Sequence, residues 1–532
     1  MPEQRPNILL LFADQHRGDA LGCAGNPAIR TPNLDALAAG GVRFSHAVTP
    51  VPVCVAARYS LITGRRCRDH HWVANSKLPG AAPELPTLMT SLGAAGYHTH
   101  GIGKFHFQPQ GRHHGFFGME WMEEIPRYRE NDHYLQYLQR VGWGHKREVH
   151  GVRNLLYQQP QTTEVPEEHV GSTWVADRAV EFIRCYRRRE PFFLWASWIA
   201  PHPPWNVPRP WDEMYRLDDM PAPIDYDRPL ADLPPICRGL RQLANTEHAS
   251  EARLRRTTAL YYAQCSLIDK GVGRILAELD RRGMAENTLI LYTSDHGELL
   301  NDHGLCQKST PFDGCARVPL LVRWPRRLRP GQVREDYATL LDVLPTCLDA
   351  ASEAHPDPHS LAGRSLLRDD PPRDEVVIEH GSAPRRWLSL RDRRYKFNAW
   401  MENGFEELYD LAADPRETRN LVRELPDAAA HYRRKLVEWE REHGFPGSLD
   451  GDRFRVTPVG PSARPLRNAQ FPTWVANLPP DELARMETPG EAVARAIARE
   501  TTYSLEELDL RAWKDAGGDL RGTPFEEAWR RA

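Results

Sequence analysis

Apolar residues in this chain fall into short continuous runs separated by longer amphipathic stretches. The run Asn7-Ile8-Leu9-Leu10-Leu11-Phe12-Ala13 shows no polar alternation, the pattern of a strand buried on both faces. Residues 192–199, 288–294 and 319–322 read the same way. Apolar positions at three- and four-residue spacing predict helices over 33–39, 85–95, 172–188, 252–282 and 339–350. Strands interleaved with helices predict an α/β fold with a central sheet flanked by helices.

Two stretches break this rhythm. Residues 105–170 are rich in His, Arg and aromatics, and 203–250 are rich in Pro. Segments of that length without clear elements of their own are expected to shape a site. Residues 351–373, dense in Pro, Asp and Ser, read as a linker. Beyond them 376–380, 387–391 and 395–400 read as antiparallel strands of a smaller domain. The expected organisation is a catalytic domain at 1–372, a small domain at 373–443 and an extension at 444–532. The extension has helical patches such as 490–499 and would wrap the core or form an oligomer contact.

Composition narrows the class. The chain has 532 residues, with 69 Lys+Arg against 72 Asp+Glu, so no basic surplus points to nucleic acid. Nine cysteines without CxxC spacing argue for reduced thiols rather than a disulfide framework or zinc ribbon. The apolar run at 7–13 is too short to span a membrane and carries no small-residue cleavage site. The expectation is a cytoplasmic protein with no membrane partner.

The chemistry concentrates around Cys54. It lies in Pro52-Val53-Cys54-Val55-Ala56-Ala57-Arg58-Tyr59-Ser60-Leu61-Ile62-Thr63-Gly64-Arg65. A proline turn precedes it and Gly64 can close the following helix. That puts Cys54 at a helix N-terminus, where backbone N–H groups and the dipole favour an anion. Arg58, one turn on, can reach the same spot. A lone cysteine is more often a small buried hydrophobe. Elsewhere, Asp14 ends the first strand and Asp295-His296 end the strand at 288–294. Ligands of open α/β sheets gather beyond such strand ends, and two carboxylates with an imidazole suit a divalent cation.

The Cys54 segment resembles the signature of the sulfatase family, in which the cysteine is oxidised to formylglycine by a formylglycine-generating enzyme. Cys54, Ala56, Arg58, Leu61, Thr63, Gly64 and Arg65 match, with Ala56 where most members have proline. Further stretches are similar to family motifs in family order. They are Gly103-Lys104-Phe105-His106, Pro201-His202-Pro203-Pro204 and the run Asp295-His296-Gly297-Glu298 through Gly304, with Lys308 after it. The stretch Leu408 to Leu421 resembles the family's C-terminal motif, where strand, turn and helix pack the small domain on the large one. The resemblance implies an alkaline phosphatase-like fold with a mixed sheet.

It also implies a site. Cys54, Arg58, Lys104, His106, His202 and Lys308 would be catalytic, and Asn75 would bind substrate. Asp14, Gln15, Cys54, Asp295 and His296 would bind one divalent ion, Ca²⁺ or Mn²⁺, with Mg²⁺ as the third candidate. Gln15 stands where many sulfatases have a second aspartate and some relatives, including phosphonate monoester hydrolases, have glutamine. His70, His71, His113 and His114 fall outside the motifs and are expected at the rim or surface. The implied activity is hydrolysis of a small-molecule sulfate monoester. Gln15 and His296 favour a phosphonate monoester or phosphodiester hydrolase on the same scaffold, while Lys104 and His106 oppose it. A non-catalytic anion-binding scaffold with an unmodified Cys54 is the third reading.

Overall fold

The computed structural model describes residues 5–146, 148–151, 160–244, 249, 251–355 and 357–458. Most of the expected extension, including 490–499, lies outside the described residues. An eight-stranded sheet forms the centre, in the order Gln332–Arg334, Val42–Phe44, Leu320–Arg323, Thr288–Ser294, Asn7–Asp14, Phe192–Pro201, His98–Gly103, Gly118–Trp121. Leu320–Arg323 runs antiparallel to both neighbours and the other pairings are parallel, so the sheet is mixed.

The first strand explains its own sequence. Ile8, Leu10 and Phe12 point into one core, with helices Cys54–Thr63, Leu88–Ala94 and Val343–Ala350. Leu9, Leu11 and Ala13 point into the other, against Pro32–Ala39, Gly171–Cys185 and Glu251–Arg281. A strand covered on both faces has no place for polar residues, hence the uninterrupted apolar run.

A second sheet of four antiparallel strands, Glu375–His380, Trp387–Asp392, Tyr395–Trp400 and Glu406–Asp410, is covered by helix Pro426–His443. It meets the large sheet's domain through buried ion pairs. Lys396 binds Asp313 at 2.9 Å and Glu417 at 2.6 Å, and Arg391 also reaches Asp313. Glu417 belongs to the C-terminal motif.

Several expectations need correction. The stretch 105–170 is not all insertion, because Gly118–Trp121 adds an edge strand to the main sheet, paired Gly103↔Trp121. Its four residues show no alternation that periodicity could detect. Within 203–250, Trp205–Pro208 pairs with Pro160–Thr163, and Pro235–Ala244 is helical. The linker at 351–373 is packed down, since Asp342 accepts the backbone N–H of Arg364 and both guanidinium arms of Arg373.

Candidate active site

Four adjacent parallel strands deliver the site to one rim. Ala13 pairs with Ser294, so Asp14 and Asp295 leave the sheet side by side. On the other flank Gly103 pairs with Ser197, and Lys104 follows at once. Gly103 is required there: its φ is +99°, and a Cβ would lie 1.8 Å from the Ser197 carbonyl oxygen. The next strand ends at Pro201, and His202 follows.

The signature segment forms helix Cys54–Thr63, with Val53 extended at its N-cap and Gly64 closing it at φ +64°. Every residue of this helix is buried, Ala56 included. Cys54 is its first residue, as the sequence predicts. Asn75 accepts the Val55 N–H at 3.1 Å, satisfying one of the helix's free donors.

Arg58 ties the rim together. It is fully buried and donates to Asp295 (Nε, 3.0 Å) and Asp14 (2.8 Å). It also donates to the Lys104 carbonyl at 2.8 Å and Ser197 Oγ at 3.3 Å, and its guanidinium lies over the Phe12 ring. Four adjacent strands are thus tied together by one side chain. Burial alone would raise the Asp14 carboxyl, but Lys104, His202, Arg58 and Lys308 hold it well below the usual carboxylate range.

Asp14, Cys54, Asp295 and His296, all buried, bring their donor atoms within 4.8 Å of one another. Cys54 Sγ is 3.2 Å from His296 Nε2 and 3.9 Å from Asp14 Oδ1. His296 Nδ1 lies 2.9 Å from the Gly297 carbonyl. That contact assigns the ring proton to Nδ1 and leaves the Nε2 lone pair facing the group. Two carboxylates and an imidazole with its Nε2 turned toward them are a donor set that fits a divalent cation.

Gln15, at φ +70°, sits beside this group. Its Oε1 accepts from Lys308 Nζ at 2.7 Å, and its Nε2 donates to Glu298. Lys308 Nζ also lies 2.8 Å from His202 Nε2. Lys104 Nζ binds Asp14 Oδ2 and Glu124 Oε2, each at 2.8 Å. Burial would lower the Lys104 ammonium, but Asp14 and Glu124 raise it, so it stays charged. Burial drives the His202 imidazole well down, with Glu124 as the leading opposing influence.

The structure brings together Asp14, Gln15, Cys54, Arg58, Lys104, His202, Asp295, His296 and Lys308, with Asn75 at the helix start. His106 follows in a left-handed turn (φ +53°), its backbone N–H on Glu123 at 2.8 Å. Its Nδ1 is buried without a partner among the described residues. Three carboxylates were missed. Glu298 accepts from Gln15 and from the backbone of Leu300 and Gln307, shaping the loop that carries Lys308. Glu123 is buried and held up at about 7 by burial, against the pull of Lys104. Glu124 touches Lys104 and His202. Glu298 stood in a quoted motif, whereas Glu123 and Glu124 gave no sequence signal.

The expectation for the remaining histidines fits three of the four. His113 is exposed, and His71 and His114 are half-buried. His70 is instead a core residue, packed under the signature helix with its ring on Ser60 Oγ at 3.0 Å and accepting the Trp72 N–H. Burial pushes it down to about 3, so it is neutral.

Comparisons with known proteins find similarity along most of the chain. The Sulfatase family model matches residues 6–353, and that for N-sulphoglucosamine sulphohydrolase, C-terminal, matches 301–441. An arylsulfatase of Clostridium perfringens is 32% identical over 474 residues, covering 85% of this chain and 97% of the relative. The multifunctional alkaline phosphatase superfamily protein PehA of Trinickia caryophylli is 29% identical, covering 82% of this chain and 96% of that one. The crystal structure of the phosphonate monoester hydrolase of Agrobacterium radiobacter superposes with a TM-score of 0.69 at 24% identity. That match covers 82% of this chain and 96% of that one, and it speaks to the fold.

Proposed function

The chain belongs to the sulfatase family, and on that premise we propose that it hydrolyses sulfate monoesters with a formylglycine made from Cys54 and one divalent cation. The observation that carries the reading is Cys54 Sγ at 3.2 Å from His296 Nε2 inside the buried donor group, with Arg58 bracing both aspartates. Asp14, Asp295 and His296, with the residue-54 side chain and Gln15 beside them, would hold Ca²⁺ or Mn²⁺, which supplies positive charge to a bound sulfate oxygen. The hydrated aldehyde of residue 54 supplies the nucleophilic hydroxyl.

The chain's own groups do the rest. Lys104 and Lys308 bind the non-bridging oxygens and stabilise charge that grows in the transition state. Arg58 helps keep Asp14 ionised and holds both Asp14 and Asp295 in place. The His202–Lys308 pair, in contact at 2.8 Å, hands a proton to the departing alcohol oxygen. His106 takes up the proton released as sulfate leaves, and Asn75 meets substrate at the start of the signature helix.

Cys54 is only 1% exposed, so a modifying enzyme must reach it before the chain closes over it. Gln15 supports a second reading, a phosphonate monoester or phosphodiester hydrolase, because a neutral amide leaves the site less anionic. The test is the mass of the Cys54 peptide from protein made alongside a formylglycine-generating enzyme. Conversion of the thiol to the aldehyde is expected. Plain cysteine under conditions that convert another sulfatase contradicts the nucleophile assignment.

A further inference from the structure

Glu124 stands among the groups assigned to bind and protonate the ester, yet no motif contains it. It leaves the sheet just after edge strand Gly118–Trp121, whose end pairs with Gly103 beside Lys104. One carboxylate oxygen, Oε2, is 2.8 Å from Lys104 Nζ, and the other, Oε1, is 3.4 Å from His202 Nδ1. Its side chain is 11% exposed, against 0% for Lys104 and 2% for His202, so it lies toward solvent from both.

Each contact constrains a partner. Lys104 has three N–H donors, and Asp14 and Glu124 engage two of them, which fixes the direction of the third. His202 Nδ1 is held by the Pro203 carbonyl at 2.6 Å and by Glu124, which sets the ring proton on Nδ1 and leaves Nε2 facing Lys308. A buried imidazole between two lysines resists a second proton. A carboxylate behind Nδ1 offsets that resistance, as an acid placed behind a catalytic histidine does in hydrolytic triads.

We propose that Glu124 is the positioning residue for leaving-group protonation: it holds His202 in the orientation and charge state that delivers a proton from Nε2, and it aims the free N–H of Lys104. This rests on the proposed sulfate ester hydrolysis. In the step, the bond between sulfur and the alcohol oxygen breaks and its electron pair stays on that oxygen. The oxygen takes the proton that the Lys308 ammonium, 2.8 Å from Nε2, passes to that nitrogen; Lys308 is left as the neutral amine and the imidazole keeps its proton on Nδ1. Glu124 stays ionised throughout and no other reactant is consumed.

The test is the dependence of kcat/KM on leaving-group basicity, measured for the parent and Glu124→Gln across aryl and alkyl sulfates. An activated 4-nitrophenyl ester departs without protonation, so its loss should be small. Alkyl esters need the proton and should lose about 100-fold, the scale of general acid catalysis. The plot of log kcat/KM against leaving-group pKa then steepens. Equal losses across the series, or no loss, overturn the proposal. In a His202→Gln background, Glu124→Gln should leave the slope unchanged, and a further steepening there also overturns it. If the glutamine variant does not fold, Glu124→Asp carries the same slope test. If the parent prefers phosphodiesters, the sulfate reading fails on the parent alone. The slope is then measured on a phosphodiester series, where it decides Glu124 independently.

Discussion

Replacing Arg58 by methionine removes the cation that braces the rim while roughly keeping its buried volume. Arg58 makes one hydrogen bond to Asp14 at 2.8 Å and one to Asp295 at 3.0 Å, and all three side chains are fully buried. Hydrogen bonds to charged groups contribute about 1.5–3 kcal/mol each. Breaking a buried pair by removing one partner costs about 3–5 kcal/mol, because a charge is left uncompensated. The two bonds together give about 3–6 kcal/mol and the broken pair about 3–5 kcal/mol, so the loss in chelator should be about 3–5 kcal/mol. The freed carboxylates then bind a divalent cation more tightly, and an ion at 100 times its Kd adds about 2.7 kcal/mol. Thermal unfolding of the parent and Arg58→Met, each in chelator and in saturating Ca²⁺ or Mn²⁺, reads both effects. The variant should melt well below the parent in chelator and gain more from the ion. Equal melting in chelator, or equal ion-induced gains, would refute the reasoning.

Other outcomes follow from the same site. Lys104→Ala and Lys308→Ala should each lose about 2.7–4 kcal/mol of transition-state stabilisation, or roughly 10²–10³ in kcat. Unchanged turnover in a folded variant would return that lysine to a structural role. Glu123 gives a pH test: burial holds its folded form at about 7 against an ordinary value of 4.5, opposed by Lys104. Below the ordinary value both states are protonated and nothing is lost. As pH rises through about 7 the unfolded state has already ionised, and the contribution is lost at a cost of about 3 kcal/mol. Glu123→Gln keeps an oxygen for the His106 N–H, so it should match the parent's melting temperature near pH 4 and exceed it near pH 8. A difference independent of pH would rule this out.

The legible part of the site was the part tied to regular elements. Asp14 is the last residue of a strand and Lys104, His202 and Asp295 each follow one, and the strands announced themselves by apolar runs or lay inside motifs. Cys54 and Arg58 share one helix, so spacing alone placed them together. Glu123 and Glu124 were illegible because their position depends on a four-residue edge strand, Gly118–Trp121, pairing in parallel with His98–Gly103. No local pattern encodes that pairing. His70 was misplaced for a related reason: the turn after Gly64 folds the chain back beneath the signature helix, and that burial is tertiary. The left-handed backbone at Gln15, Leu300 and Gln307 is likewise absent from any propensity, since these residue types seldom adopt it. Such conformations persist where surrounding contacts impose them, as Glu298 does around Lys308.

The central claim is most directly tested by kcat/KM for an aryl sulfate, an aryl phosphonate monoester and an aryl phosphodiester sharing one leaving group, on enzyme whose Cys54 is fully converted. A sulfate monoester offers three unsubstituted oxygens and one bridging oxygen to a donor set built around Lys104, Lys308 and His202. The other two esters replace one oxygen with a carbon-bearing group and leave a buried donor unpaired. The account predicts the highest value for the sulfate. A phosphodiester or phosphonate monoester hydrolysed faster than every sulfate ester tried would contradict it.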